Sequence, residues 1–161
     1  MSRALKTEAV VLRSLRYGEA DRILHLYTPD RGRLSAIAKG VRRTRSRFGG
    51  RLEPFGRVAL VLHEGRSDLL TVTAADTLAA HHRLRESGEA LDSAGRACDA
   101  VARLFEDAEP QPPVFHLLCN ELALLDADPG QATLANQVAF RLKLLVAAGF
   151  APHLSSCAGC G

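Results

Sequence analysis

Along the first half of the chain, apolar and polar positions alternate in places, as in Arg22-Ile23-Leu24-His25-Leu26 and Leu34-Ser35-Ala36-Ile37-Ala38, with the two-residue period of a strand buried on one face. Stretches rich in Val, Ile, Leu, Thr and Tyr predict strands at 9–12, 23–27, 34–38, 57–63 and 69–74. Turn signals separate them at Tyr17-Gly18, Pro29-Asp30-Arg31-Gly32, Phe48-Gly49-Gly50 and Glu64-Gly65-Arg66-Ser67. Near residue 80 the period lengthens to that of a helix. Ser87 suits an N-cap, and Leu91, Ala94, Cys98, Val101 and Phe105 recur at three- and four-residue steps behind it. Residues 106–111 interrupt this pattern. Pro112 and Pro113 then suit a helix start, with Val114, Phe115, Leu118, Leu122 and Leu125 as its stripe. Asp128-Pro129 reads as an N-cap and first-turn proline opening a third helix that carries Leu134, Val138, Leu142 and Leu145. Gly149 and Pro152 end it.

Five short strands within about 75 residues predict a small closed barrel. The OB-fold is the five-stranded barrel known for gripping single-stranded nucleic acid, and an SH3-like barrel fits the strand count equally. The expected fold class is therefore α+β, with a five-stranded OB-fold barrel over residues 1–80 followed by an all-α, antiparallel helical domain over residues 81–161. No internal repeat or low-complexity tract is visible.

At 161 residues and 47% hydrophobic, the chain has enough apolar material for one medium domain or two small ones, which excludes a disordered class. Its longest apolar runs, 58–62 and 142–148, fall far short of the roughly 20 residues a membrane-spanning helix needs. The first residues lack the apolar core of a signal peptide, so the expectation is a cytoplasmic protein. In that reducing compartment the 4 cysteines do not suggest a disulfide framework.

Charge changes the picture more than composition does. Residues 1–80 hold 15 Lys and Arg against 8 Asp and Glu, a net of +7, whereas residues 81–161 hold 6 against 10, a net of −4. Most of the excess lies in Lys39-Gly-Val-Arg-Arg-Thr-Arg-Ser-Arg-Phe-Gly-Gly-Arg51, whose last 10 residues include 5 arginines. Guanidiniums crowded this closely repel one another and stay protonated at any biological pH, so they need either solvent or a polyanion. Arg42, Arg43, Arg45, Arg47 and Arg51 form the candidate phosphate-binding footprint, with Lys39, Arg33 and Arg57 as outer members. Phe48 is a candidate for base stacking, and Phe55 fits a core position better. The alternative for the whole run is a solvated surface loop.

Cys98 and Cys119 fall on or beside apolar helix faces, where a buried thiol acts as a small hydrophobe. Ser156-Cys-Ala-Gly-Cys-Gly161 is different. Cys157 and Cys160 have the C-x-x-C spacing of one half of a tetrahedral zinc site, with His153 as a third candidate ligand and a redox pair as the alternative. No G-x-x-x-x-G-K-[ST] loop and no G-x-S-x-G elbow occurs, and Asp21, Asp30 and Glu53 lack the spacing of a familiar Mg²⁺ site, so the chain is not expected to be an enzyme.

In order and spacing, five stretches resemble the RecO family of bacterial recombination mediators. They are Gly18-Glu-Ala-Asp-Arg-Ile23, Tyr27-Thr-Pro-Asp-Arg-Gly-Arg-Leu34, Ala38-Lys-Gly-Val-Arg-Arg43, Ser46-Arg-Phe-Gly-Gly-Arg-Leu-Glu-Pro-Phe55, and Lys143-Leu-Leu-Val-Ala-Ala-Gly-Phe-Ala-Pro152 running into Cys157-Ala-Gly-Cys-Gly161. The resemblance implies an N-terminal OB-fold, a helical domain and, in many members, a zinc module with a second cysteine pair further on. This chain holds half of that module and reads as a fragment or shortened form. The family implies binding of single- and double-stranded DNA without sequence preference, strand annealing, and cooperation with RecR in loading RecA onto DNA coated by single-strand-binding protein. Arg141 and Lys143 are candidate receivers of that protein's acidic tail. An RNA-binding OB module remains the alternative.

Overall fold

The computed structural model describes residues 4–65, 69–105 and 108–161. Five strands come first: β1 (Ala4–Tyr17), β2 (Asp21–Thr28), β3 (Gly32–Ala38), β4 (Arg57–Glu64) and β5 (Leu70–Ala79). Four helices follow among the described residues: α1 (His82–Glu86), α2 (Gly88–Leu104), α3 (Pro112–Ala127) and α4 (Leu134–Ala147), with a 3-10 turn at Pro129–Gln131. Arg66 and Ser67 of the expected fourth turn, and Glu106 and Asp107 of the expected helix break, lie outside the described residues.

The strands close in the order β1-β2-β3-β5-β4, and β4 returns to pair with β1. Neighbours run antiparallel except β3 and β5, which pair in parallel at Ala36 with Leu70 and Ile37 with Thr71. This is the OB-fold arrangement, and it resolves the tie with an SH3-like barrel. The fold is α+β, a five-stranded OB barrel followed by helices.

β1 shows why part of the first half reads as a solid apolar run rather than as alternation. Ala9 and Val11 point into the barrel, while Val10 and Leu12 point outward into the core of the helical half. A strand buried on both faces has no polar side to reveal its period. β2 does the same with Leu24 and Leu26 inside and Tyr27 outside, where the Tyr27 ring lies 6.2 Å from that of Phe105. The outer face of β1 and β2 is thus one wall of the helical core.

Polar ties reinforce this joint. The Arg33 guanidinium donates to the Ala102 carbonyl and the Arg85 guanidinium to the Pro54 carbonyl. His81 Nδ1–H donates to the Phe55 carbonyl at 2.8 Å, and the Ala108 amide to the Arg33 carbonyl at 3.0 Å. Gly32 (φ +65°) is required here, since a Cβ would sit 2.6 Å from the Glu109 carbonyl carbon.

Among the helices, Ser87 caps α2 as expected, its hydroxyl accepting the Ala90 amide at 3.3 Å. Ala94, Cys98, Val101 and Phe105 are buried, but Leu91 is partly exposed and Ala90 takes its place. The α3 stripe is buried in full. Burial pushes the Cys98 thiol well above its ordinary value and the Cys119 thiol up to about 11, which suits apolar filler.

Three departures from expectation occur among the helices. α1 was not anticipated: a helix of 5 residues with one buried side chain, Leu84, shows no period, and bonds from elsewhere hold it, such as the Leu84 amide to Asp126 Oδ1 at 3.0 Å. Asp128-Pro129 opens only the 3-10 turn, and α4 starts after Thr133, whose hydroxyl accepts the Asn136 amide at 3.1 Å. The stripe assigned to α4 also faces the wrong way. Leu134 is 76% exposed, and Val138 and Leu142 are exposed too, whereas Phe140 and Leu144 carry the packing. Apolar residues surround this helix, so periodicity alone picked the outer row.

Candidate nucleic-acid interface

The segment between β3 and β4, residues 39–56, is a chain of turns pinned from below. Phe48 and Leu52 are buried in the barrel core, with Val41 packed against them, so the loop plugs the barrel with its apolar side chains and turns the rest outward. Backbone bonds fix its start. The Gly40 amide donates to Asp21 Oδ1 at 2.8 Å, and the Arg42 amide to the Ala20 carbonyl at 3.0 Å, fastening the loop to the β1–β2 turn. Further on, the Ser46 amide reaches the Arg43 carbonyl at 3.0 Å, and the Arg51 amide reaches the Phe48 carbonyl at 3.1 Å. Gly40 (φ +68°) supplies a backbone geometry that a side chain would strain.

Lys39, Arg42, Arg43, Arg45, Arg47 and Arg51 are all exposed on this loop. Among the described residues the ion pairs involve other arginines: Arg13 and Arg103 with Asp99, Arg22 with Glu53, Arg31 with Asp30, Arg57 with Glu8, and Arg96 with Asp92. Among the described residues the contacts of the loop cations are to neutral partners. Arg42 donates to the Glu19 carbonyl at 3.1 Å and Arg51 to the Arg47 carbonyl at 3.1 Å, and the Arg47 guanidinium covers the Phe48 ring at 4.8 Å. Like charges are thus held at close spacing on a fixed backbone without neutralisation, an arrangement that favours a bound polyanion.

Three expected members are placed elsewhere. Phe48 is 1% exposed, so its ring fills the barrel and has no face for a base. Arg57 donates to Glu8 Oε2 through Nη2 at 2.6 Å and through Nε at 3.0 Å, and its guanidinium lies over the Phe115 ring of α3 at 5.8 Å. The hydrogen bond it donates to Glu8 raises the Arg57 pKa further. Arg33, bonded to Ala102, joins barrel to helices. Both read as outer phosphate ligands in the sequence because a cation shows no partner until the fold is known. Phe55 is half-buried against the helical core, as a packing role requires. Tyr17, which reads in the sequence only as part of a turn signal, is 52% exposed at the end of β1.

The acidic residues near the loop have separate duties. Asp21 holds Gly40, Asp30 accepts the Thr7 hydroxyl at 2.8 Å, and Glu53 faces Arg22 at 3.4 Å. At the other end of the chain, the Gly159 amide is directed at Cys157 Sγ at 3.4 Å. That amide first, and then the Cys160 thiol, hold the Cys157 thiol below its ordinary value. An amide turned toward the sulfur suits a thiolate ligand, so the spacing and geometry of the two cysteines fit half of a zinc knuckle. Among the described residues no third His, Cys, Asp or Glu joins them, and His153 Nε2 instead lies 2.6 Å from the Ser156 hydroxyl. Also among the described residues, no helix is long and apolar enough to cross a membrane.

Residues 1–81 match the family model for the recombination protein O N terminal region, and residues 85–161 match that for its C terminal region. The chain is similar to the DNA repair protein RecO of Rubrobacter xylanophilus, at 44% identity over 97% of this chain and 62% of the relative. It is also similar to the proteins of that name from Bifidobacterium adolescentis, at 42% over 96% and 63%, and from a Nocardioides species, at 44% over 97% and 64%. The chain therefore spans about six-tenths of the length of the curated relatives it matches. A basic loop seated on an OB barrel, a helical half sharing its core, and two family models that together cover nearly every residue lead to one conclusion: the chain belongs to the RecO family of DNA repair proteins.

Proposed function

We propose that this protein binds single- and double-stranded DNA through the sugar-phosphate backbone, without sequence preference, and anneals complementary strands. The observation that carries this reading is the set of exposed cations at Lys39, Arg42, Arg43, Arg45, Arg47 and Arg51 on a pinned loop, with no carboxylate among their partners in the described residues. Neutralising phosphates releases counterions, which gives a log-log salt slope of about −0.7 per phosphate on a single strand, so five engaged arginines correspond to roughly −3 to −4. Contacts to phosphate leave base edges free, and lowering the repulsion between strands without covering those edges is what annealing needs. No catalytic step is part of the proposal.

In recombinational repair the protein would act with RecR to load RecA onto DNA coated by single-strand-binding protein. The acidic helical half repels DNA and suits protein partners. Lys143 lines a groove of about 550 Å³ with Pro113, Leu117, Leu142 and Val146, and an acidic tail ending in apolar side chains matches a groove of this kind. Arg141, two residues before it on α4, lines a separate groove with Arg96, Arg103 and Leu145 and is the second candidate contact. Cys157 and Cys160 would give two thiolate ligands to a structural zinc, which would order the segment around them.

The test is a R42A/R43A/R45A/R47A variant, checked for folding by circular dichroism, in salt-titrated binding to labelled single strands and in annealing with and without single-strand-binding protein and RecR. The slope should become shallower by roughly 3 and annealing should slow. Wild-type affinity and rate in the variant would overturn the reading. Competition by RNA of matched length decides between DNA and an RNA-binding module, and a preference for RNA would favour the latter.

A further inference from the structure

Most of the aromatic side chains are spoken for by packing. Tyr27, Phe48, Phe105, Phe115 and Phe140 are buried, and Phe55 packs against the helical core. Phe150 is exposed far from the barrel in sequence, following α4. On the barrel itself, Tyr17 alone among the aromatic residues lies open to solvent, with Leu15 exposed two residues before it on the same side of β1. Among the described residues Leu78 of β5 is the other large apolar side chain of the barrel open to solvent, so Tyr17 and Leu15 form the exposed pair at one end of β1.

That end adjoins the arginine loop. Tyr17 is the cross-strand partner of Asp21, and the Asp21 carboxylate holds the Gly40 amide, the residue after Lys39. Two positions beyond Tyr17, the Glu19 carbonyl accepts the Arg42 guanidinium, and the Ala20 carbonyl accepts the Arg42 amide. Exposed Arg16 precedes Tyr17 and pairs across the strands with Arg22. The exposed Tyr17 ring thus ends the strand whose following turn is bonded to the arginine loop at Gly40 and Arg42. Left in water, an aromatic ring and a leucine on a strand end are unfavourable, and a base stacked on the ring would remove that surface from solvent.

We propose that Tyr17 is the base-stacking platform of this interface, taking one unpaired nucleobase of a single strand while the loop arginines hold the flanking phosphates. The proposal rests on the loop reading above and adds to it a contact that only an unpaired base can make. Duplex DNA, whose bases are already stacked, gains nothing from Tyr17, so this residue biases a backbone-binding surface toward single strands.

The experiment compares the full chain with Y17A, Y17F and Y17W on end-labelled oligo(dT), on an abasic strand of equal length and on duplex. Stacking is worth roughly 1–3 kcal/mol per base, and a half-exposed ring belongs at the low end, so Y17A should weaken oligo(dT) binding about fivefold to tenfold. Its affinity for the abasic strand and for duplex should not change, and Y17F should match wild type. The protein has no tryptophan, so Y17W introduces a single emitter, and its fluorescence should be quenched by oligo(dT) and not by the abasic strand. Equal losses on oligo(dT) and the abasic strand, or no loss together with unquenched Y17W, would overturn the proposal. Failure of the wild-type chain to bind any of the three would instead strike the loop reading.

Discussion

The Asp21 carboxylate accepts the Gly40 amide at 2.8 Å, and this bond joins the turn after β1 to the first turn of the arginine loop. It places one negative charge under a cluster of positive ones, so its structural and electrostatic effects on DNA binding have opposite signs. Asp21→Asn keeps an oxygen for the amide and removes the charge, so stability should hold and DNA affinity should rise slightly. Asp21→Ala removes both, leaves the amide without its acceptor and should cost about 1 kcal/mol in urea denaturation. If the two variants have equal stability, the bond does not hold the loop.

Arg57 and the loop arginines look alike in sequence and should behave oppositely. Arg57 bridges Glu8 on β1 to the Phe115 ring on α3, so Arg57→Ala should destabilise the fold by roughly 1–3 kcal/mol while leaving the salt slope of DNA binding unchanged. Arg43→Ala should leave stability within about 0.5 kcal/mol and make the slope shallower by about 0.7. Denaturant melts and salt titrations on the same two preparations check both halves of the statement.

Tyr27 carries a buried hydroxyl without a hydrogen-bond partner among the described residues, and burial, with Glu109 adding to it, pushes its pKa up to about 12 from 10.0. The folded state therefore keeps this proton where the unfolded state loses it. The associated stability is fully present below pH 10 and is lost as pH rises toward about 12, on the order of 2 kcal/mol for a shift of that size. The Cys98 and Cys119 thiols titrate in neighbouring ranges, so the comparison must be wild type against Tyr27→Phe. At neutral pH the variant should be as stable or slightly more so, because it discards an unsatisfied group. Between pH 10 and 12 its stability should fall less steeply than that of wild type.

The barrel was legible from the strand and turn chemistry because alternation and Gly-containing turns are local signals. The loop footprint was legible from charge density alone. What escaped was everything that depends on a second element. Phe48 looked available for stacking because sequence cannot tell a ring facing solvent from one plugging a barrel. Arg33 and Arg57 looked free because their partners, Ala102, Glu8 and Phe115, lie on other elements. Tyr17 passed as a turn marker because a half-exposed aromatic at a strand end has no pattern to announce it. α1 escaped for the same reason in another form, since one helical turn is shorter than the period that would reveal it.

α4 offers the sharpest test of how its face was chosen. Sequence favoured Leu134, Val138, Leu142 and Leu145, of which Leu145 alone is half-buried, while the packing uses Phe140 and Leu144. Leu144 is 3% exposed, so Leu144→Ala removes contacts that cannot be replaced by water and leaves a cavity, at a cost of about 2–4 kcal/mol. Val138→Ala removes surface that already meets solvent and should cost under about 1 kcal/mol, mostly offset by the better helix propensity of alanine. Because Val138 and Leu144 stand on one helix, any loss of helix formation common to both cancels in the comparison. Equal costs in thermal or urea melts would mean that the outer row is covered, and a larger cost at Val138 would restore the sequence-based face.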